Sequence, residues 1–578
     1  MWSVTLRSSL VLLSVGLIAC APTAPRGSEP SAAAPSAAQP TAASNRPLNL
    51  GVRYEVNDLA PKRTGGASSS FTKRTFNAAL ALVDGDNAAR PYLAEALPQL
   101  NTPSWQVFPD GRMETTYKLR PNLTWHDGQP HVADDYVFAY QVYSAPGLGG
   151  TFTSIPQDQM EEVLAPDART VVFRWKSAVP QAGSLAFTMF EPLPRHILGT
   201  PFSGVQQDPL TLDSFLSLPF WTAEYVGLGP YKLEKWEPGA SLEGSAFPGH
   251  ALGKPKIARI IIHPIPDENT MLTNLLAGSM EVGGNVSLRW EQAVVLKRQW
   301  DPTQAGTVLI NPGSRHWIFV QFRPEILKTK ALLDLRVRRA LAHAVDRDQI
   351  NEALFDGQGY MTDHWVPSQL PYASEVDRAV THYPFDARQV AQLMTEAGFT
   401  KDSSGFYNDA SGNRFRPQYV ADGSPTFVRE MDIINATWSG LGISMDPQVL
   451  PGNIGNVNEY RTTFPDMYTS TTGAQEVQLD VFSSAQIATA AKRWAGNNRG
   501  GWENAEFDRL WNAFNSTLDR KERDRQVIDM MKVVTDQLPG IMLYFNVDPL
   551  AHSAAIKGPE LQTPETLVLW NMHDWEWR

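Results

Sequence analysis

Two periodicities take turns along this chain. Residues 48–54, Leu-Asn-Leu-Gly-Val-Arg-Tyr, set an apolar side chain at alternate positions, as a strand buried on one face requires. Residues 113–119 and 170–175 repeat that pattern and follow the turn signals Pro109-Asp110-Gly111 and Pro166-Asp167-Ala168, which predicts strands of a meander. The run Ile260-Ile261-Ile262 between prolines, and residues 317–322, predict two further strands. Helical spacing takes over later. Asp267 is placed to cap a helix carrying Met271, Leu272, Leu275 and Leu276 and ending near Gly278. Residues 335–344 put Val337, Ala340, Leu341 and Ala344 on one face, with Arg336, Arg338 and Arg339 mostly outward. An aspartate followed three residues later by Gln or Glu opens three more helices, at Asp346, Asp386 and Asp519. Gly357 and Gly398 close the first two. Strands dominate early and helices late, so the chain reads as mixed α/β, without internal repeats.

The N-terminus changes the picture. Residues 10–19 form an apolar run behind Arg7, shorter than the ~20 residues a spanning helix needs. The run ends Leu17-Ile18-Ala19-Cys20, and Cys20 is the only cysteine. This is the pattern of a bacterial lipoprotein signal over residues 1–20. Cleavage before Cys20 would leave its sulfur to carry lipid and would hold the protein at a membrane surface in the cell envelope, outside the cytoplasm. Residues 21–47 are rich in Ala, Pro, Ser and Thr and cannot bury enough apolar surface to fold, so they are expected to be a disordered tether. A lone cysteine also removes a disulfide framework, which leaves the body to rest on a packed core. The net charge of −11 argues against a nucleic-acid partner. The 17 Trp, 16 Tyr and 25 Phe suit both a large core and an amphipathic ligand pocket.

No phosphate-binding glycine loop, Gly-x-Ser-x-Gly elbow or His-Glu-x-x-His motif occurs. His126-Asp127 and His131 with Asp134-Asp135 are the one constellation that resembles a metal site, but Asp127-Gly128 reads better as a turn and Asp134 as the start of a helix. The adjacent Glu161-Glu162 reads as a solvated face rather than an acid/base pair. Neither a cofactor nor a catalytic residue is expected, which favours binding over catalysis. A secreted hydrolase, the rival from another class, would need a nucleophile–base pair or two facing carboxylates.

Several segments, in order, then carry a resemblance: Pro91-Tyr92-Leu93-Ala94-Glu95; Leu119-Arg120 followed by Trp125-His126-Asp127-Gly128 and a helix opening on Asp134; Gly227-Leu228-Gly229-Pro230-Tyr231; Val337-Arg338-Arg339-Ala340 with Asp346-Arg347; and Ala397-Gly398-Phe399 closing a helix. From about Leu48 to the C-terminus the chain resembles the extracellular solute-binding proteins of the peptide/nickel (oligopeptide/dipeptide-binding) family of ATP-driven importers. The resemblance implies an α/β fold of two lobes joined by two hinge strands, with an extra subdomain in lobe one. On that basis lobe one would take residues 48–316 and 546–578, with the inserted subdomain at about 101–228, and lobe two residues 317–545. The hinge candidates are residues 317–322 and 541–545. It further implies a monomer that captures a peptide-like or other medium-sized polar solute and delivers it to a membrane permease. A saccharide and a nickel chelate are alternatives within the class. A lipoprotein that docks to a receptor without cargo is an alternative outside it.

The resemblance also points to a cleft lining. Tyr54 and Glu55 follow the first strand. The segment 464–473 contains Tyr468, Thr469 and Ser470, and lacks the family's Trp followed by Ala-Asp, whose aspartate holds a peptide's amine; Asp480 lies further on. Trp494, Asn497, Asn498, Arg499 and Trp502 combine indoles, amides and a guanidinium, and Trp365 lies in a candidate loop.

Overall fold

The computed structural model describes residues 46–578 apart from 56, 64–68, 146–147, 149–155, 188, 285, 452–457, 493, 562 and 564–568. Cys20 and the tether up to residue 45 lie outside them. Arg46, assigned to the tether from sequence, already belongs to the body: it pairs with Glu281 and lies 4.7 Å from the Trp577 ring centroid.

One 11-stranded sheet runs through both lobes. Its strands are β1 (Leu48–Val52), β2 (Tyr231–Glu237), β3 (Ser241–Ala246), β4 (Arg259–Pro264), β5 (Val282–Gly283), β6 (Gly306–Val320), β7 (Tyr360–Met361), β8 (Gln418–Asp422), β9 (Asp446–Leu450), β10 (Met467–Thr472) and β11 (Gly540–Ser553). Their order is β9-β8-β10-β6-β11-β5-β1-β4-β3-β2, with β7 also on β11. Strands β6 and β11 are antiparallel partners from Gly306↔Ser553 to Phe319↔Gly540, and the register shifts between Pro312 and Arg315. Upstream of that shift the pair belongs to the lobe-one strands. Downstream, β10 joins β6 from Arg315↔Thr472 to Val320↔Met467. These two long strands connect the lobes. Only their strongly apolar halves, near residues 317–322 and 541–545, stood out in the sequence. Pro312-Gly313-Ser314 interrupts the alternation and hid the upstream half of β6.

The alternation of β6 and β11 sorts the lobe-two core into two layers. Ile318, Val320, Ile541 and Leu543 enter one apolar cluster with Val337, Leu341, Ile350 and Trp438. Trp317, Phe319, Met542 and Phe545 enter the other with Phe482, Trp502, Phe507 and Val534. Burial on both faces explains why these strands read as nearly continuous apolar runs. The helix starts follow the capping grammar. Asp267 accepts from the Thr270 amide at 2.7 Å, Asp346 from Gln349 at 2.9 Å, Asp386 from Gln389 at 3.1 Å and Asp519 from Glu522 at 2.8 Å. Arg338 departs from its expected outward face. It is buried and donates to the Leu332 and Gln537 carbonyls. No helix among the described residues is long and apolar enough to cross a membrane.

A second sheet of four antiparallel strands, Trp105–Val107, Met113–Lys118, Thr170–Trp175 and Met160–Asp167, forms the extra subdomain beside helix Asp134–Tyr143. Its motif residues bind the fold together. Asp135 accepts from Trp125 Nε1, Val132 N and His131 Nδ1, each at 3.0 Å. The His126 ring meets the Gly229 carbonyl at 3.0 Å and the Gly227 amide at 3.2 Å, so the Trp-His-Asp-Gly turn is fastened to the Gly-Leu-Gly-Pro turn. A Cβ on Gly227 would stand 2.0 Å from the Phe76 carbonyl oxygen, which is why that turn needs glycine.

Candidate functional site

Strand directions locate a crevice. In lobe one, β5 runs antiparallel to the downstream end of β11, β1 is parallel to β5, and β4 is parallel to β1. Their carboxyl ends therefore all point toward the register shift in β6. In lobe two, β10 ends at Thr472 opposite Arg315, β8 is parallel to β10, and β9 is parallel to β8. Their carboxyl ends point to the same place from the other side. Ligands of open α/β sheets sit outside the carboxyl ends of parallel strands, and here two such edges face one another.

The two connecting strands are both irregular at this level. Asn546 Nδ2 donates to Ser314 Oγ at 2.8 Å, and Asn311 Nδ2 to the Asp548 carbonyl at 3.2 Å. A Cβ on Gly313 would lie 2.3 Å from Asp548 Oδ2, so the bulge and the carboxyl group share one space. Burial pushes the Asp548 pKa up to about 6.

On the lobe-one side β1 delivers Arg53, Tyr54 and Glu55. Arg53 and Arg289 both reach Glu268 Oε1 at 2.6 Å, and the Arg53 guanidinium lies 5.4 Å from the Tyr54 ring centroid. The Tyr54 ring is exposed. Glu55 accepts from the Gly239 amide and so holds the β2–β3 turn.

On the lobe-two side the pleat of β10 separates the residues grouped from sequence. Thr469 turns to a closed cluster in which Glu430 accepts from Tyr544 Oη at 2.5 Å and pairs with His316 at 2.8 Å; the Thr469 hydroxyl lies 3.1 Å from His316 Nε2. Ser470 and Tyr468 take the other face, where Arg499 Nη1 donates to Ser470 Oγ at 2.6 Å. Asn497 Nδ2 donates to Asp480 Oδ2 at 2.8 Å, and Asn498 Nδ2 to the Trp502 carbonyl at 2.8 Å. Trp494 is partly exposed, on a backbone with φ of 60°. Trp365 and Trp502 are buried, each packing against Phe482. The structure thus joins Arg499 to Ser470, which is itself buried, turns Asn497 to Asp480, and sends Trp365, Trp502, Tyr468 and Thr469 into the layers beneath.

Sequence reasoning missed Arg315. It is buried, and its guanidinium donates to the carbonyls of Trp365 at 2.7 Å, Ala474 at 2.9 Å, Gln475 at 3.2 Å and Gly473, tying two loops at the mouth of the crevice to β6. Its one sequence signal was an arginine inside an apolar strand, just past Pro-Gly-Ser.

Two lobes on a shared sheet, paired connecting strands and opposed strand ends define the periplasmic-binding-protein type of fold. The chain belongs to the family described as bacterial extracellular solute-binding proteins, family 5, whose middle region matches residues 95–492. The oligopeptide-binding protein AppA of Bacillus subtilis is 22% identical over 502 residues, covering 84% of this chain and 82% of the relative. An oligopeptide-binding protein from Thermus thermophilus, solved with a pentapeptide, superposes with a TM-score of 0.70 at 22% identity, over 92% of this chain and 96% of the other. NikA from Brucella suis, solved with Fe(III)-EDTA, gives 0.72 at 17% identity, over 92% and 100%. The structural likenesses concern the fold.

Proposed function

We propose that this protein is the capturing component of an ATP-driven importer and takes a peptide, or another peptide-sized polar solute, into the crevice between its lobes. The observation that carries this reading is the meeting of parallel-strand carboxyl ends from both lobes across two connecting strands that are irregular at one level. A solute touching both edges gains its second set of contacts only when the lobes approach, so binding shifts the population toward a closed form. A permease would read that form, and no bond in the solute need change. The wall would consist of Tyr54, Ser470, Trp494, Asn497 and Arg499, supported from beneath by Trp365, Trp502, Tyr468 and Thr469, with Glu55 fixing the lobe-one edge. The body acts as a monomer, held to the outer face of a membrane by lipid on Cys20 and spaced from it by the segment from residue 21 to residue 45. Peptide is favoured because the Bacillus subtilis and Thermus thermophilus relatives are named for oligopeptides.

The test is retention. The mature protein is incubated with a tryptic digest of casein, desalted and denatured, and the released solutes are read by mass spectrometry. A discrete set of peptides at about one per protein is expected. Retention of none, while an oligosaccharide pool yields a bound species, would overturn the peptide reading.

A further inference from the structure

The helix Trp290–Trp300 carries two apolar stripes on different sides. One stripe belongs to lobe one. Leu296 and Trp300 join an apolar cluster with Met271 and Leu275 of helix Glu268–Ala277 and with Ala551 near the downstream end of β11. Arg289, the residue before the helix, is tied to Glu268 at 2.6 Å. The other stripe, Trp290 and Val294, enters the core of lobe two. Trp290 is buried in the cluster that holds Val337, Ile350 and Phe355, and its ring centroid lies 6.3 Å from that of Phe355. Phe355 in turn stands 5.0 Å from the Tyr544 ring on β11.

Charged side chains continue this seam at both ends. Glu291 Oε1 lies 3.6 Å from Arg429 Nη1 on helix Pro425–Leu441. Arg298 Nη2 lies 3.7 Å from Asp356 Oδ2, just past helix Arg347–Phe355. All four residues are exposed, so the pairs contribute little to stability and more to the relative placement of the two surfaces. Between the two ends the packing is incomplete. A cavity of about 180 Å³ is lined by Trp290, Ala293, Val294 and Ile310 on one side and by Asp356 and Gln358 on the other. Protein interiors are ordinarily filled, and a filled contact resists displacement. A void beside a buried indole leaves this contact room to slide.

A helix held by two bodies cannot stay still against both when one of them turns. Resting on the reading of the crevice as a solute site that closes, we propose that the helix Trp290–Trp300 is a third connection between the lobes, a sliding clasp outside the crevice, and that Trp290, Val294 and the Arg298–Asp356 pair are positioning residues that set solute affinity without touching the solute. Packed helices shear past one another by small displacements of this kind. Contacts that differ between the open and closed forms shift the population of the binding-competent form, and the apparent affinity follows that population.

The probe is an equimolar pool of random pentapeptides with free C-termini, the free-acid pentapeptide pool. Calorimetry gives its apparent affinity for the full mature chain, and small-angle scattering gives the radius of gyration of the same protein without solute. Asp356→Arg sets two like charges across the seam, and Val294→Phe fills part of the cavity. The affinity is expected to change by about two- to fivefold in Asp356→Arg and by about three- to tenfold in Val294→Phe. The change should follow the empty protein: a variant that binds more tightly should be more compact without solute, and one that binds more weakly more extended. Adding Arg298→Asp to Asp356→Arg restores the pair with its charges exchanged, and should return the affinity to within about twofold of the parent. The exposed pair keeps the test decisive should Val294→Phe not fold. A merely structural helix would lower the urea midpoint and leave affinity and solute-free radius unchanged. That result, with a parent that binds the pool, would overturn the clasp and leave the capture reading standing. Affinity that moves while the solute-free radius does not would also overturn the clasp. Failure of the parent to bind the pool would overturn the peptide reading, and the clasp with it.

Discussion

Asp548 and Arg315 stand at the two edges of the β6 irregularity and behave oppositely as buried charges. Arg315 is saturated by carbonyls. Asp548 has its pKa pushed up by burial to about 6 against an ordinary 3.8, so its ionisation favours the unfolded chain. The cost is complete above pH 6 and gone below about 3.8. The stability advantage of Asp548→Asn over the parent, measured by urea denaturation, should be largest at pH 7 and shrink by about 1 kcal/mol by pH 5. A difference independent of pH would show that the group is solvated. At this scale the sequence was legible where a side chain serves its own neighbourhood. The turn role of Asp127 is one case, its Oδ1 accepting from the Gln129 amide at 3.0 Å. It was not legible where partners are distant: Ser470 and Arg499 come from separate segments, and only folding shows that Thr469 and Ser470 occupy opposite faces.

Elements were read best where ends are marked by local chemistry. The aspartate caps at 267, 346, 386 and 519 each bond the amide that their spacing predicts. Strand β6 was read only in part, since Pro312-Gly313-Ser314 breaks the alternation at the place where the strand passes from one lobe to the other. That break is a bulge, and bulges bend strands and re-aim them. Replacing Gly313 by Val would force a Cβ against the Asp548 carboxyl group. A loss of about 1–2 kcal/mol in urea denaturation and a slower solute-induced change in tryptophan fluorescence are expected. Thr307→Val, on the same strand away from the bulge, should leave both within about 0.5 kcal/mol and twofold. Equal effects at the two positions would remove the bulge from the mechanism.

At the scale of the whole molecule, the order of motifs made the two-lobed fold visible, because turns such as Trp125-His126-Asp127-Gly128 and Gly227-Leu228-Gly229-Pro230 clamp one another and so are fixed by the fold. The solute is specified by no such clamp. On the proposed reading it depends on side chains that the fold leaves with spare bonding capacity, which only the folded arrangement can reveal. The sheet continues through both lobes, so in the proposed closure β6 and β11 would bend at their shared irregularity. Small-angle scattering of the mature protein, with and without the free-acid pentapeptide pool, tests this most directly. A smaller radius of gyration is expected in the sample that mass spectrometry shows to be loaded. Superposable curves from loaded and empty protein would contradict it.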